Sequence, residues 1–460
     1  MSGLNTSLLI GLQALEANQG ALDATSNNIA NANTKGYTRE VAEFGENEQN
    51  ASGNNVTGGG VSLDAIQSIR DELLNLQIQQ QTSLQSSADT QSSSLQQIQT
   101  SFTTTGGDIA SALTAFSTSL TQLSANPTSS AVQQSVVADG QNLADAFNST
   151  ANALTTAQSQ ANDQVTQTVA QINTLTAQIA QLNGQLAQVP ASENGGTIED
   201  QRDQLVQQLS SLTGISITQS SDGETITTAN GSPLVMGSQS FNLQTTTGSN
   251  GMQQVIDSNG ADITASIQGG TLGGAIQIRD HTIPGLLSQL NTLASQFATA
   301  FNSAQAEGYD SNGNKGTAFF SVPSNPGDAG AATGIAVSIT DPSQIAISSD
   351  GSTGSNGNVA NLSAALTNDL PSGQTAAQAY ASLVFQVGNA ASNASTQSAA
   401  IGDSLTQLTS QQGSVSAVSI DEETTNLERY QTAYEAAARI VSTIQVLNNA
   451  ILNMGSSTGF

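Results

Sequence analysis

The chain has 460 residues, of which 35 are acidic and 8 basic, for a formal net charge of -27 at neutral pH. That balance excludes a nucleic-acid partner, which needs a basic footprint, and argues against docking on an anionic membrane surface. Cys and Trp are absent and aromatic residues make up 3%, which sets aside disulfides, thiolate metal sites and pockets walled by aromatic rings.

This length exceeds a single core and predicts two to four domains. No run approaches 18 apolar residues, so no membrane insertion is expected. Residues 1–10 lack the basic-then-apolar order of a cleaved signal. Residues 4 to about 32 then read as one amphipathic helix. Its seam is Leu8, Leu15, Leu22 and Ile29, seven apart, with Leu12 beside it. An Asn-rich stretch from Ser26 to Asn33, followed by Thr34-Lys35-Gly36-Tyr37-Thr38-Arg39, predicts a helix stop and a turn. Residues 40 to 64 are polar and Gly-rich and suit an extended segment or hairpin.

Helical spacing resumes at Ile66, Ile69, Leu73 and Leu76 and again at Leu95, Ile98 and Phe102. Ile109, Leu113, Phe116, Leu120 and Leu123 form a helix that Asn126-Pro127 stops. From Val132 to Val189 the heptad Val165, Ile172, Ile179, Leu186 marks a long helix closed by Pro190. Asp200 to Leu212 adds another, and the set predicts a bundle of long antiparallel helices. After Gly214 the period changes. Short alternating runs split by Asp222-Gly223 and Asn230-Gly231 read as hairpins of a small β domain. A helix over Leu286, Leu290, Leu293, Phe297 and Phe301 follows Pro284. Residues 311 to 373 return to short strands and loops, with Ile345-Ala346-Ile347 the favoured strand. Another helix begins near Tyr380.

The last stretch, Ser419 to Met454, carries two heptad rows: Ile420, Leu427, Tyr434, Val441 and Tyr430, Ala437, Ile444, Ile451. Ser419 with Glu422 predicts a capping box, Asp421 to Glu423 suit the helix dipole, and Gly455 offers a stop. At roughly 1.5 Å per residue this helix is about 50 Å long. Its expected partner is the helix at the other end of the chain. A lone pair of helices is marginal in water, so the two ends are expected to be largely disordered in a free monomer and to fold against each other and against neighbouring copies.

Ser26-Asn27-Asn28-Ile29-Ala30-Asn31 with Thr34, Gly36, Tyr37 and Arg39 resembles the N-terminal motif of the flagellar axial proteins of rod, hook and hook-associated type. Lys35 stands where Pro is common. Asp421-Glu422-Glu423, Asn426-Leu427 and Arg429 to Tyr434 resemble the C-terminal motif of the same family. Between them, Leu272-Gly273 read as a strand, Arg279-Asp280, a long helix, the turn Gly308 to Gly313 and Ala379-Tyr380-Ala381-Ser382-Leu383 follow in the hook-associated order. The resemblance implies a structural, non-enzymatic flagellar component at the hook–filament junction. Its partners would be a ring of identical subunits, hook protein, a second hook-associated junction protein and a cytoplasmic export chaperone on the C-terminal helix. Export would use the flagellar type III route.

The fold class expected is α+β and multidomain. Residues 1–39 with 417–460 form a discontinuous coiled-coil domain lining the inner tube. Residues 40–213 with 271–310 and 374–416 form the bundle, 214–270 a β domain, and 311–373 an irregular segment. The expected assembly interface is Leu8, Leu15, Leu22, Ile29, Asn31, Gly36, Tyr37, Arg39, Ile420, Leu427, Tyr430, Tyr434, Val441, Ile444 and Ile451. Another axial protein of hook or filament type, or a secreted coiled-coil adhesin, is the competing reading.

Chemistry finds little footing. The single His281 beside Asp280 reads as a solvated helix-start residue, with neither a nucleophile nor a metal signature nearby. Asp310-Ser311-Asn312-Gly313-Asn314 begins like a calcium loop but has Lys315 where Gly is needed and Ser321 where Glu is needed. No cofactor is expected. The basic residues near the ends, Lys35, Arg39, Arg70, Arg429 and Arg439, either pair within their own helices, as Glu435 with Arg439, or meet acidic faces of neighbouring subunits.

Overall fold

The computed structural model describes residues 2–47, 50–52, 55–102, 107–189, 195–220 and 223–456. Pro190 and Asp222, named above as a helix stop and part of a turn, lie outside that set.

Helix α1 (Ser2–Asn31) leads into an antiparallel ribbon of β1 (Glu40–Glu46) and β4 (Val61–Ser68), with β2 (Asn50–Ser52) and β3 (Asn55–Thr57) paired at its tip. A bulge between Glu43 and Phe44 adds to the local twist of the ribbon. Four helices follow: α2 (Glu72–Phe102), α3 (Ile109–Ala125), α4 (Ser130–Leu186) and α5 (Gly196–Leu212). The Asp108 carboxylate caps α3 by accepting from the Ser111 N–H, and Asn126 closes the helix. At 57 residues α4 is roughly 85 Å long. It is the spine on which two separate cores are built.

The first core packs Leu95, Ile98 and Phe102 of α2 with Ile109 to Leu123 of α3 and Val136 to Ala161 of α4. Helix α7 (Ile283–Glu307) crosses it. Phe116, Phe147, Phe297, Phe301, Phe319 and Phe320 are fully buried there, with neighbouring ring centroids 4.8–6.4 Å apart. Each such aromatic pair adds about 0.5–1.5 kcal/mol beyond its burial. Gly140 makes room, because a methyl group there would lie 2.6 Å from the Phe319 ring. The second core uses the far half of α4, from Val165 to Ala180, with Val206 and Leu209 of α5. Over it lies the four-stranded sheet β5 (Ile215–Ser220), β6 (Gly223–Thr228), β7 (Pro233–Met236) and β8 (Gln239–Ser240), in sequential antiparallel order. The ribbon β9 (Gln244–Thr247) with β10 (Gln253–Ile256) follows, then α6 (Gly270–Gln277).

Two expectations for the interior are corrected. Leu272-Gly273, read as a strand, belongs to α6. Gly269 and Gly270 turn the chain with positive φ of 74° and 62°, and Gly274 lets α6 close onto the Ser87 carbonyl of α2. A single π-turn, Ile278–Thr282, joins α6 to α7 and holds His281 outward. Ile345-Ala346-Ile347, read as a strand, is buried but has no strand ladder. Side-chain amides occupy its backbone instead: Gln305 Oε1 accepts from the Ala346 N–H, and Asn358 Nδ2 donates to the Ala346 carbonyl.

Residues 311–373 do not stand apart. The ribbon of β11 (Phe320–Ser321) and β12 (Ala336–Val337) encloses the one-turn helix α8 (Ala331–Gly334), and α9 (Val359–Thr367) comes after. All contribute to the first core. Helix α10 (Ala376–Ser416) starts at a capping box of Thr375 and Gln378 and runs back along α2. The last helix is α11 (Ile420–Ser456), whose last described residue stands one beyond Gly455. It lies antiparallel to α1, since Asn28 meets its start at Glu423 while Gly11 meets Val441.

Candidate assembly interface

Helix α1 is sheltered on two sides, by α11 and by the β1–β4 ribbon, a third partner that the reading of two bare helices overlooked. That changes which residues lie centrally. The predicted row Leu8, Leu15, Leu22 and Ile29 is half-buried. The fully buried row is Gly11, Ala17, Ala21, Ala24 and Asn28, small residues that let two partners approach one helix. A methyl group on Gly11 would lie 2.8 Å from Val441 Cγ2, and one on Gly20 would meet the Leu63 side chain.

On α11 the seam is Ala437, Val441 and Ile444, buried, with Leu427, Tyr430 and Tyr434 half-buried around it. Tyr430 packs on Phe44 of the ribbon, with centroids 6.1 Å apart. Ile420 and Ile451 are exposed and are not part of the seam. The register explains both: α1 ends at Asn31, level with Ile420, and α11 has 37 residues against 30, so Ile451 overhangs the start of α1.

The lower end of the pair is tied by a polar knot. Asn28 is 1% exposed, and its amide makes four hydrogen bonds. Nδ2 donates to the Glu40 carbonyl (2.8 Å) and to Glu423 Oε2 (3.1 Å). Oδ1 accepts from the Tyr37 hydroxyl and the Glu40 N–H, both at 2.9 Å. Arg39 Nε donates to Glu423 Oε1 at 2.7 Å and Nη2 to Glu422 Oε1 at 2.8 Å, while its N–H bonds the Ser416 carbonyl. Burial alone lowers the proton affinity of Arg39, but the two glutamates outweigh it and hold that affinity above its usual value. Burial, then the charges of Glu40, Asp200 and Glu423, push the Tyr37 hydroxyl well above its ordinary range. Tyr37 stays a neutral donor.

Neither of the two readings of Arg39 holds. It pairs inside the chain but across 384 residues of sequence, with the opposite terminus. Glu422, expected to close a capping box with Ser419, is taken by Arg39. Among the described residues no ion pair joins Glu435 to Arg439. Asn31 is also reassigned: it bonds Asn27 and Thr34 and finishes α1 without reaching α11. Gly36, with φ of 80°, makes the turn beside Gln204, whose amide donates to the Lys35 carbonyl. From there the Thr38 N–H donates to Asp200 on α5 at 2.9 Å, and Arg70 bridges Asp200 and Asp203. Asp200 is raised in proton affinity by burial, against the pull of Thr38 and Arg70. The motif therefore joins three parts of the molecule at one point.

The sequence reading missed Asn28 and Glu423 as hubs. A single signal was available: a buried-type Asn recurring one helical turn after Ala24 on the small-residue row. Among the described residues no three His, Asp or Glu gather as metal ligands, and the Asp310 carboxylate accepts from the Asn312 and Asn314 N–H groups as a plain turn.

Comparison with known proteins agrees with this geometry. Residues 95–320 match the helical domain of the flagellar hook-associated protein FlgK, and residues 8–38 match the flagella basal body rod protein family. Flagellar hook-associated protein 1 of Bacillus subtilis is 30% identical over 97% of this chain and 98% of its own length. That of Escherichia coli is 27% identical over 99% of this chain and all of its own. The flagellar hook junction protein FlgK from Burkholderia pseudomallei superposes with a TM-score of 0.66 at 20% identity, covering 74% of this chain and all of that one. Matched end to end by such relatives, the chain belongs to the flagellar hook-associated protein 1 family, structural components of the bacterial flagellum.

Proposed function

We propose that this chain is the adaptor between hook and filament, built from many copies arranged about the flagellar axis. The paired terminal helices line the inner tube, the bundle forms the next shell and the sheet of residues 214–270 faces outward. The terminal unit includes the 40–68 ribbon, because that ribbon packs on α1. Hook protein lies on one side of the ring and a second junction protein on the other. Before export by the flagellar type III route, a cytoplasmic chaperone covers α11.

One observation carries this reading beyond the family match. After α1, α11 and the ribbon have packed, large apolar side chains on several sides of α11 remain exposed, including Ile440, Val446, Leu447 and Leu452. Burying one such side chain is worth about 1.5–3 kcal/mol. A helix 37 residues long that keeps them all in water is built for further partners. The test is a Val441→Asp chain, or one cut after Ser416, as the sole copy in its source cell. The expected outcome is hooks without filaments and flagellin shed into the medium, while the purified chain keeps the melting transition of its bundle. Filaments attached at the normal number would refute the reading.

A further inference from the structure

Six Asn-Gly pairs stand among the described residues, and the fold treats them differently. Glycine carries no Cβ, so its amide nitrogen can reach the side-chain carbonyl carbon of an asparagine just before it. Asn183-Gly184 is shut inside α4, where Asn183 is buried and its amide donates to the Glu224 and Gly237 carbonyls. The other five asparagines, Asn230, Asn250, Asn259, Asn312 and Asn356, are exposed.

Four of those five share one turn. Gly231, Gly251, Gly260 and Gly313 sit at φ of 78° to 88°. Each donates its N–H to the carbonyl three residues back, at Thr228, Gly248, Asp257 and Asp310, over 2.9–3.1 Å. An N–H in such a bond cannot turn to the side chain without breaking it. Two turns add a second restraint, since the Asp257 and Asp310 carboxylates accept from the N–H groups of Asn259 and Asn312. Asn356-Gly357 is the exception. Gly357 is outside the left-handed region, and among the described residues no acceptor takes its N–H. The Asn356 side chain is tied at one point, where Nδ2 donates to the Ser124 carbonyl at 2.7 Å.

We propose that Asn356 deamidates spontaneously in the folded chain and that the product frees the end of α3. The deprotonated Gly357 nitrogen attacks Cγ of Asn356. The new C–N bond closes a succinimide ring, and the bond from Cγ to Nδ2 breaks to release ammonia. Water then opens the ring at either carbonyl to leave aspartate or isoaspartate. The sum is amide plus water giving acid plus ammonia, with no oxidant and no enzyme. Either product loses the donor to Ser124. A carboxylate then faces the last turn of α3, where the helix dipole is already negative. Isoaspartate also lengthens the main chain by a carbon atom beside Asn358, which is buried and donates to the Ala304 and Ala346 carbonyls. The bond from the Val359 N–H to the Asn356 carbonyl is displaced with it.

Peptide mapping by mass spectrometry tests it, after the full-length chain has stood in mildly alkaline buffer. Acid at position 356 is expected to accumulate about fivefold faster than at Asn230, Asn250, Asn259 or Asn312, the factor set by one hydrogen bond of ordinary net strength. In urea the turns are gone, and the five sites are expected to react at similar rates. Any of the four keeping pace with Asn356 in the folded chain overturns the proposal. So does a lead of Asn356 that persists unchanged in urea, because that lead would belong to the neighbouring sequence and not to the fold. Asn356→Gln keeps an amide but closes a larger ring slowly, and its product is expected to vanish from the map. Asn356→Asp stands in for the modified chain. Its amide exchange over residues 121–125 is expected to quicken about fivefold, and exchange equal to that of the parent chain overturns the freeing of α3.

Discussion

Arg39→Met removes a charge and keeps most of the stem. Glu423, whose side chain is 2% exposed, then faces the interior with Asn28 as its remaining donor. Deleting one partner of a buried pair costs about 3–5 kcal/mol. The surviving Asn28 bond offsets part of that, and the exposed Glu422 contact adds less than about 1 kcal/mol. About 3 kcal/mol is therefore expected at pH 7. Native-state amide exchange over residues 421–430 reads this directly, with the bundle core as internal reference. The first turns of α11 should open more readily than in the parent chain, while Leu143 and Phe297 keep their protection. A loss under about 1 kcal/mol would refute the pairing argument.

Asn28→Ala removes four hydrogen bonds at a fully buried point, and at about 1 kcal/mol each should cost about 3–5 kcal/mol by denaturant unfolding of the terminal unit. Tyr380 donates to the Phe102 carbonyl at 2.7 Å, and burial, then the Asp108 charge, raise its hydroxyl to about 12. The folded state thus favours the protonated form. Its contribution is complete below pH 10 and is lost as pH rises through about 12, so Tyr380→Phe should flatten that alkaline limb of a stability curve. Arg279 is 1% exposed and uses its fork on Asp280 while reaching Asn162 and the Gln253 carbonyl. Arg279→Lys keeps the charge but not the fork, and calorimetry should show a loss of about 2–3 kcal/mol. Gly274→Ala places a methyl group 2.7 Å from the Ser87 carbonyl and should cost about 1–3 kcal/mol in the same measurement.

The long helices were legible because burial on one face imposes its period on the residues. Val165, Ile172 and Ile179 are buried as their spacing requires. The same logic misplaced the centre of α1. A heptad of leucines reads as a seam when one partner is assumed, whereas two partners select the Gly11–Ala17–Ala21–Ala24 row between the leucines. Leu272-Gly273 misled for another reason: the resemblance supplied a strand there, and the packing of α6 on α2, which offsets the low helix propensity of glycine, is invisible locally. Ile345-Ala346-Ile347 has strand composition, but its hydrogen bonds come from Gln305 and Asn358, which no local pattern reveals. Arg39 with Glu423 is the extreme case, a pair whose members stand at opposite ends of the chain.

In a chain with 35 acidic groups and 8 basic ones, where an arginine stands is informative. Four stand where segments distant in sequence meet. Arg39 joins the two termini, Arg70 the ribbon to α5, Arg202 α5 to β6 through Glu224, and Arg279 the π-turn to α4 and β10. Each is largely buried, so salt screens it weakly. Arg429 and Arg439 differ: they are exposed on α11, and among the described residues no carboxylate pairs with them. The Debye length falls from about 8 Å at 0.15 M salt to about 3 Å at 1 M. Rising ionic strength should therefore weaken contacts between copies well before it loosens the joints within one.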